Sequence, residues 1–267
     1  MLPGETKRKF EALKSFLASL GRAAVAFSGG ADSLLLLHAL ACNRPGETVA
    51  VTAATPFLPR REVEAARRLT AQLGVEHLLV ERASFVGEGI LANTSERCYL
   101  CKREILGALG EAARERYGID ILLDGTNADD RAEDRPGTRA AEELGVISPL
   151  REAGLGKGEI RLILRALGSP SYDKPPESCL ATRIPPGRPI TAGDLAMVAA
   201  AEEAMRDLGF RLVRVRHHGD LARIEVGRGE RARFLAGDVM DEAARRVRET
   251  GFTFVTLDLA GYGGNDG

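Results

Sequence analysis

From Lys7 to Leu20 the apolar residues Phe10, Leu13, Leu17 and Leu20 fall on one stripe, which predicts an amphipathic helix. The pattern then changes. Ala23 to Phe27 is an unbroken apolar run that ends at the Gly29-Gly30 pair, and it reads as a buried strand entering a tight turn. Asp32 to Leu40 follows as a helix apolar on most sides. Thr48 to Ala53 predicts a second strand, about Arg60 to Leu73 a helix, and Glu76 to Val80 a third strand. A helix from about Lys102 to Tyr117 leads to Asp120–Asp124, whose Ile-Leu-Leu run suits a buried parallel strand. Strands alternating with helices predict an α/β fold with a doubly wound parallel sheet. Its ligand belongs at the carboxyl ends of the strands, where the loops at Ser28, Ala53 and Gly125 converge.

After about Leu150 the order of elements is different. Gly156 to Leu167 predicts a helix, and Gly168 to Arg188 a long loop rich in Pro and Gly, a length that is usually functional or disordered. Ala192 to Leu208 then predicts a helix, Arg211–His217 and Leu221–Val226 an antiparallel pair, Glu230–Glu249 a helix and Phe252–Leu257 a last strand. The expected domains are 1–168, a smaller C-terminal α+β domain at 169–260, and a tail at 261–267 without fixed structure.

Composition narrows the function classes. The net charge of −1 gives no footprint for nucleic acid or an anionic membrane, and the absence of Trp argues against a base-stacking platform. The most apolar stretch, around Leu34–Leu37, is far shorter than a membrane span, and Met1–Leu20 has no cleavable signal pattern. A cytoplasmic protein is expected, with no membrane and no nucleic-acid partner. In that setting four cysteines point to chemistry or metal rather than disulfides.

The strongest local signal is Ser28-Gly29-Gly30-Ala31-Asp32-Ser33, between a strand and a helix. Two glycines let the backbone turn tightly against an anion, and the helix start adds free N–H groups and a favourable dipole. Ser28 and Ser33 add hydroxyls, and Asp32 can orient the loop or meet a magnesium ion. No Gly-Lys-Ser/Thr follows, so this is not a Walker-type loop; the alternative is a glycine-rich helix cap with no ligand. The loop resembles that of the PP-loop ATP pyrophosphatase superfamily. The resemblance implies ATP cleaved between its α- and β-phosphates, Mg2+ on the departing pyrophosphate, and a second nucleotide-side motif at Asp124-Gly125-Thr126-Asn127.

Further residues narrow the resemblance. Asp173 to Arg183 with Cys179, then Val213-Arg214-Val215-Arg216 and His218 to Arg223, resemble the LarE family of sulfur transferases over nearly the whole chain. That resemblance implies a small mononucleotide substrate derived from nicotinic acid mononucleotide. Its carboxylate is adenylated and a sulfur nucleophile then displaces AMP. A cysteine among cations such as Lys174 and Arg183 is a suitable nucleophile, and in the sacrificial form of this chemistry Cys179 gives up its own sulfur. Arg214 and Arg216, two apart on a strand, share a face and with Arg183 suit the substrate phosphate; a solvated strand face is the competing reading. His217 and His218 point to opposite faces and read as structural, and Cys42 reads as packing.

Cys98-Tyr99-Leu100-Cys101 leaves the sulfur source open. With Cys179 it makes three thiols, enough for a [4Fe–4S] cluster whose fourth iron could carry hydrosulfide from an external sulfur donor. Sacrificial Cys179 and a structural CxxC stand beside that reading. A homo-oligomer is implied by the family. Other readings are a PP-loop tRNA thiolase, an amidating synthetase, or a nucleotide-binding module without catalysis.

Overall fold

The computed structural model describes residues 2–43, 46–130, 136–175 and 177–262. The chain forms two compact units, Met1–Ile90 with Glu96–Pro176, and Leu91–Ser95 with Glu177–Gly267.

The larger unit holds a parallel sheet of β1 (Ala23–Ala26), β2 (Thr48–Ala53), β3 (Glu76–Val80) and β4 (Ile121–Leu123), in the order β3-β2-β1-β4. A bridge between Leu123 and Ile147 extends the β4 edge. The helices are α1 (Gly4–Ser19), α2 (Ala31–Asn43), α3 (Arg60–Gln72), α4 (Glu88–Leu91), α5 (Arg97–Tyr117), α6 (Pro136–Glu143), α7 (Pro149–Glu152) and α8 (Lys157–Ala166).

Alternation along the strands sorts the side chains into two cores. Ala23, Val25, Ala50 and Leu123 pack with α1, α2 and α8, whereas Ala24, Val49, Val51 and Leu122 pack with α5. Both sheet faces are therefore covered, which is why the strands read as continuous apolar runs. The doubly wound α/β fold is as expected. Leu35, Leu36 and Leu37 of α2 are fully buried, so truncating any of them costs about 2–5 kcal/mol. Strand order reverses at β1, whose neighbours are β2 on one side and β4 on the other, so a crevice opens beyond the carboxyl ends of β1 and β4.

The smaller unit is α+β. Helix α9 (Ala192–Asp207) starts at Thr191, whose hydroxyl accepts from the Asp194 amide at 3.0 Å. β5 (Val213–His218) and β6 (Leu221–Val226) form the expected antiparallel hairpin, and β7 (Phe254–Leu257) joins β6 in parallel after α10 (Val239–Glu249). Val198, Met205, Phe210, Val215, Ile224 and Val247 build its core.

Three expectations are corrected. The helix expected over Glu230–Glu249 is two pieces, a 3-10 turn at Arg228–Leu235 and α10, because Gly237 takes φ +54° between them. Helix α5 begins at Arg97 rather than Lys102, so Cys98 and Cys101 sit on its opening turns. The long segment is also not featureless: single 3-10 turns lie at Pro170–Asp173 and Leu180–Arg183. Tyr262 N donates to Val226 O at 2.9 Å; the rest of the expected tail, 263–267, lies outside the described residues.

Candidate functional site

The Ser28–Ser33 loop grows out of β1. Phe27 N continues the ladder to Val51 O at 2.8 Å, and the Thr52 hydroxyl donates to Phe27 O at 2.6 Å. Since that hydroxyl gives its proton to Phe27, its 2.8 Å contact with His77 Nε2 requires the imidazole to donate. Burial pushes the His77 pKa below its ordinary value, and the Arg67 charge adds to the effect. A hydrogen-bonded chain from β3 through β2 thus fixes the carbonyl just before Ser28.

Gly29 then turns at φ +73° with its Cα face against α3, where an added Cβ would meet Glu62 O at 3.5 Å and Ala66 at 3.7 Å. The Ser28 and Ser33 hydroxyls lie 3.3 Å apart, and Ser33 Oγ donates to Gly30 O. Leu34 N to Gly30 O at 3.0 Å is the first helical bond of α2. The amides before it have no helical acceptor, and with the helix dipole they make a cradle for an anion.

The loop after β4 closes on this cradle. A Cβ on Gly125 would lie 2.8 Å from Ser33 N, so only glycine lets the two backbones come this near. Asn127 Nδ2 donates to Asp32 Oδ2 at 3.0 Å. The two motifs read from the sequence are therefore one site, at the strand-order reversal. Burial raises the Asp32 pKa; the Asn127 bond opposes this, Asp130 adds to it, and Lys157 and Arg161 oppose it.

Asp124 has the reverse balance. Burial would raise it, but the Lys102 charge, with hydrogen bonds from Thr126, Lys102 and Ser148, holds it below the ordinary carboxylate range. Lys102 Nζ lies 2.9 Å from Asp124 Oδ2, and the Thr126 and Ser148 hydroxyls each donate at 2.7 Å. Lys102 was not singled out from the sequence. The available signal was its place one residue after the CxxC, on a helix leading into β4. Gly137 makes room for it, since a Cβ there would touch Lys102 Cδ at 2.8 Å.

Cys98 is exposed and Cys101 partly so, one turn apart on α5. Arg97 Nη2 donates to Cys98 Sγ at 3.4 Å. Tyr99 between them is fixed by a 2.6 Å bond to Glu143 and by Arg139, 3.9 Å from its ring centre. Two soft sulfur donors on one helical face are half of what an iron–sulfur cluster takes, and among the described residues no group of three or more His, Cys, Asp or Glu is assembled to hold a metal. Asp32, a hard oxygen donor beside the anion cradle, suits magnesium.

In the smaller unit the third candidate thiol, Cys179, is exposed and opens the turn Leu180–Arg183. Arg183 lies beneath it, 1% exposed. Its Nη1 donates to Ser178 O, Ser178 Oγ, Cys179 O and Thr182 Oγ1, and its other edge forms a fork with Glu202 at 2.7 and 3.2 Å. Fully buried Glu202 also accepts from Arg206 and the Val215 amide. Burial would raise the Glu202 pKa, but Arg183, with Arg206 and Arg214, holds it below the ordinary value.

The solvated-face reading of the arginine pair does not describe Arg214, which is fully buried and lies 3.3 Å from Glu177. Arg216 is about a quarter exposed, forked onto Glu225 at 3.0 and 2.9 Å, and donates to Thr182 O. Lys174, read from the sequence as a cation near Cys179, belongs to the larger unit and directs its ammonium to Gly29 O and Glu62 there. His217 is structural: it is buried, accepts from Gly219 N and lies 3.0 Å from Asp194. Cys42, expected to pack, is exposed, with its sulfur 3.5 Å from His38 Nδ1.

No family model matches the chain. Three relatives align over nearly its full length. An uncharacterised protein of Synechocystis sp. is 39% identical over 95% of this chain and 94% of its own. The pyridinium-3,5-bisthiocarboxylic acid mononucleotide synthase of Lactiplantibacillus plantarum is 34% identical over 94% of this chain and 90% of its own. An uncharacterised protein of Methanocaldococcus jannaschii is 32% identical over 89% of each. Identity of this level and span, on a fold that brings the Ser28–Ser33 and Asp124–Asn127 loops together, is shared descent rather than a shared loop: the chain belongs to the LarE family.

Proposed function

We propose that this enzyme is an ATP-dependent sulfur transferase that converts a carboxylate of a nicotinate-mononucleotide-derived substrate into a thiocarboxylate. The observation that carries the reading is the closure of the Asp124–Asn127 loop onto the Ser28–Ser33 cradle, through Gly125 against Ser33 and Asn127 to Asp32. A cradle of amides and hydroxyls without a lysine of its own suits a pyrophosphate that leaves intact.

In the first step a substrate carboxylate oxygen attacks the α-phosphorus and pyrophosphate departs, leaving an acyl-adenylate. Ser28, Gly29, Gly30 and Ser33 hold the departing group, and Asp124, Gly125, Thr126 and Asn127 shape the nucleotide side. Asp32 is the residue for Mg2+, which would neutralise charge on the pyrophosphate. In the second step a sulfur nucleophile attacks the acyl carbon and AMP leaves.

Cys179 is the residue proposed for sulfur transfer, since its thiol is exposed while its carbonyl is held by Arg183 and Thr182. Cys98, Cys101 and Cys179 are the ligands proposed for a [4Fe–4S] cluster, which when bound would supply an open iron for hydrosulfide from an external donor. Arg216, the most exposed of the three arginines, offers an edge to the substrate phosphate, with Arg183 and Arg214 supporting the strand and segment around it.

The test is to incubate the protein with ATP, Mg2+ and the carboxylated mononucleotide. AMP and pyrophosphate are expected in equal amounts. Cys179→Ala should keep pyrophosphate release while thiocarboxylate formation disappears. Full thiocarboxylate formation by that variant would overturn the role of Cys179. Iron and sulfide analysis after anaerobic purification separates the sulfur sources. About four irons per chain, lost in the Cys98→Ser/Cys101→Ser variant, supports the cluster. An iron-free protein that loses one hydrogen sulfide in mass per turnover assigns the sulfur to Cys179 itself.

A further inference from the structure

The phosphate loop has a lysine beside it, supplied from 145 residues away. Lys174 Nζ donates to Gly29 O at 3.0 Å and to Glu62 Oε2 at 2.6 Å. Glu62 is 5% exposed and stands in the first turn of α3, against which Gly29 packs. The lysine is itself anchored. Its carbonyl accepts from Arg161 Nη2 at 3.0 Å and its amide donates to Ser171 O within the turn Pro170–Asp173. Arg165 lies over Tyr172 of that turn, 5.6 Å from the ring centre, which ties the turn to α8.

We propose that Lys174 and Glu62 are positioning residues that clamp the Gly29 carbonyl so that the loop amides stay turned toward the pyrophosphate of ATP. A peptide unit is planar, so the direction of the Gly29 carbonyl fixes the direction of the Gly30 N–H. Glycine at φ +73° lacks the Cβ that restricts other residues, so contacts must hold that plane. On one side the Gly30 N–H donates to Ser28 Oγ at a long 3.4 Å, a contact a stronger acceptor can replace. On the other the ammonium holds the Gly29 carbonyl at 3.0 Å. Because Glu62 neutralises it at 2.6 Å, the pair adds little net charge to the cradle, and its effect on an anion comes through geometry.

This inference rests on the ATP reading of the same loop, and a binding experiment keeps the two apart. ATP and AMP, each with Mg2+, are titrated into the wild-type protein and into Lys174→Met, Lys174→Arg and Glu62→Gln by calorimetry. In Lys174→Met, ATP affinity should fall about tenfold or more, the loss expected for a charge-assisted hydrogen bond, while AMP affinity stays unchanged. Lys174→Arg should recover part of the loss.

Glu62→Gln should also weaken ATP. Tighter ATP binding in that variant would show that the lysine acts as a bare charge, and would overturn the clamp. Equal losses for ATP and AMP in Lys174→Met, or no loss, would overturn it too. If Lys174→Met fails to fold, Glu62→Gln and Lys174→Arg still decide the matter. A wild-type protein that binds neither nucleotide removes the ATP reading itself.

Discussion

The two units handle polar groups in opposite ways. In the larger unit the site is built from backbone amides, two serine hydroxyls and short polar side chains, with a glycine at 29 for its positive φ and one at 125 for close approach. In the smaller unit the charges are paired among themselves: Arg183, Arg206 and Arg214 surround Glu202 and Glu177, while Arg216 and Arg223 share Glu225. The first arrangement leaves donors for a ligand and depends on close backbone approach. The second spends most of its donors on internal carboxylates and depends on those partners being present. One unit should therefore be sensitive to added volume, and the other to removed charge.

The largest expected effect tests the second half of that contrast. Glu202→Ala leaves Arg183, Arg206 and the Val215 amide without their shared acceptor, which should cost about 3–5 kcal/mol and loosen the smaller unit. Urea unfolding checks it; a loss under about 1 kcal/mol would mean that the network is not cooperative. Gly125→Ala tests the first half. Its Cβ would collide with Ser33 backbone, so a cost of about 1–3 kcal/mol and weakened ATP binding are expected. Wild-type nucleotide affinity in that variant would deny that the two loops must touch.

Acidification sharpens the comparison. Asp124 and Glu202 both titrate below their ordinary values, so each contributes stability that is present above about pH 4 and is lost as pH falls through its folded value. Asp32, raised by burial, has the opposite sign: protonation favours the folded form. Stability measured from pH 6 to pH 3 should fall, and should fall less in Glu202→Gln, which begins lower. The smallest effect belongs to Arg245, paired with Glu242 and Glu249 on the surface of α10. Arg245→Ala should leave the urea unfolding midpoint almost unmoved by the same assay, since exposed ion pairs are screened by water.

Much of the larger unit was legible because β1 and β2 are buried and the signals are local. Ala23–Phe27 is an apolar run that ends at the Gly29-Gly30 turn, and Thr48–Ala53 and Glu76–Val80 recur between helical stretches. The smaller unit was harder. Arg214 and Arg216 share a face by the two-residue period, yet one is sealed against Glu177 and the other is partly open. Periodicity gives direction, and what lies in that direction depends on distant chain. The same holds for Lys174, whose partners are 145 and 112 residues away. The break at Gly237 was visible as a glycine, but apolar spacing on either side concealed it.

The short stretch Leu91–Ser95 carries a practical consequence. It belongs with the smaller unit, where Asn93 Nδ2 donates to Pro185 O and Arg188 O, and where Ile190 N donates to Leu91 O. The polypeptide therefore crosses between the units three times, and no single cut separates them. A fragment beginning at Glu177 would lack these five residues and expose the carbonyls that Asn93 caps. A fragment ending near Pro176 would carry them as an orphaned loop inside its own fold. Dissecting this protein requires moving the pentapeptide with its partner, for instance by fusing 91–95 ahead of Glu177 through a flexible linker and closing the gap in the other half.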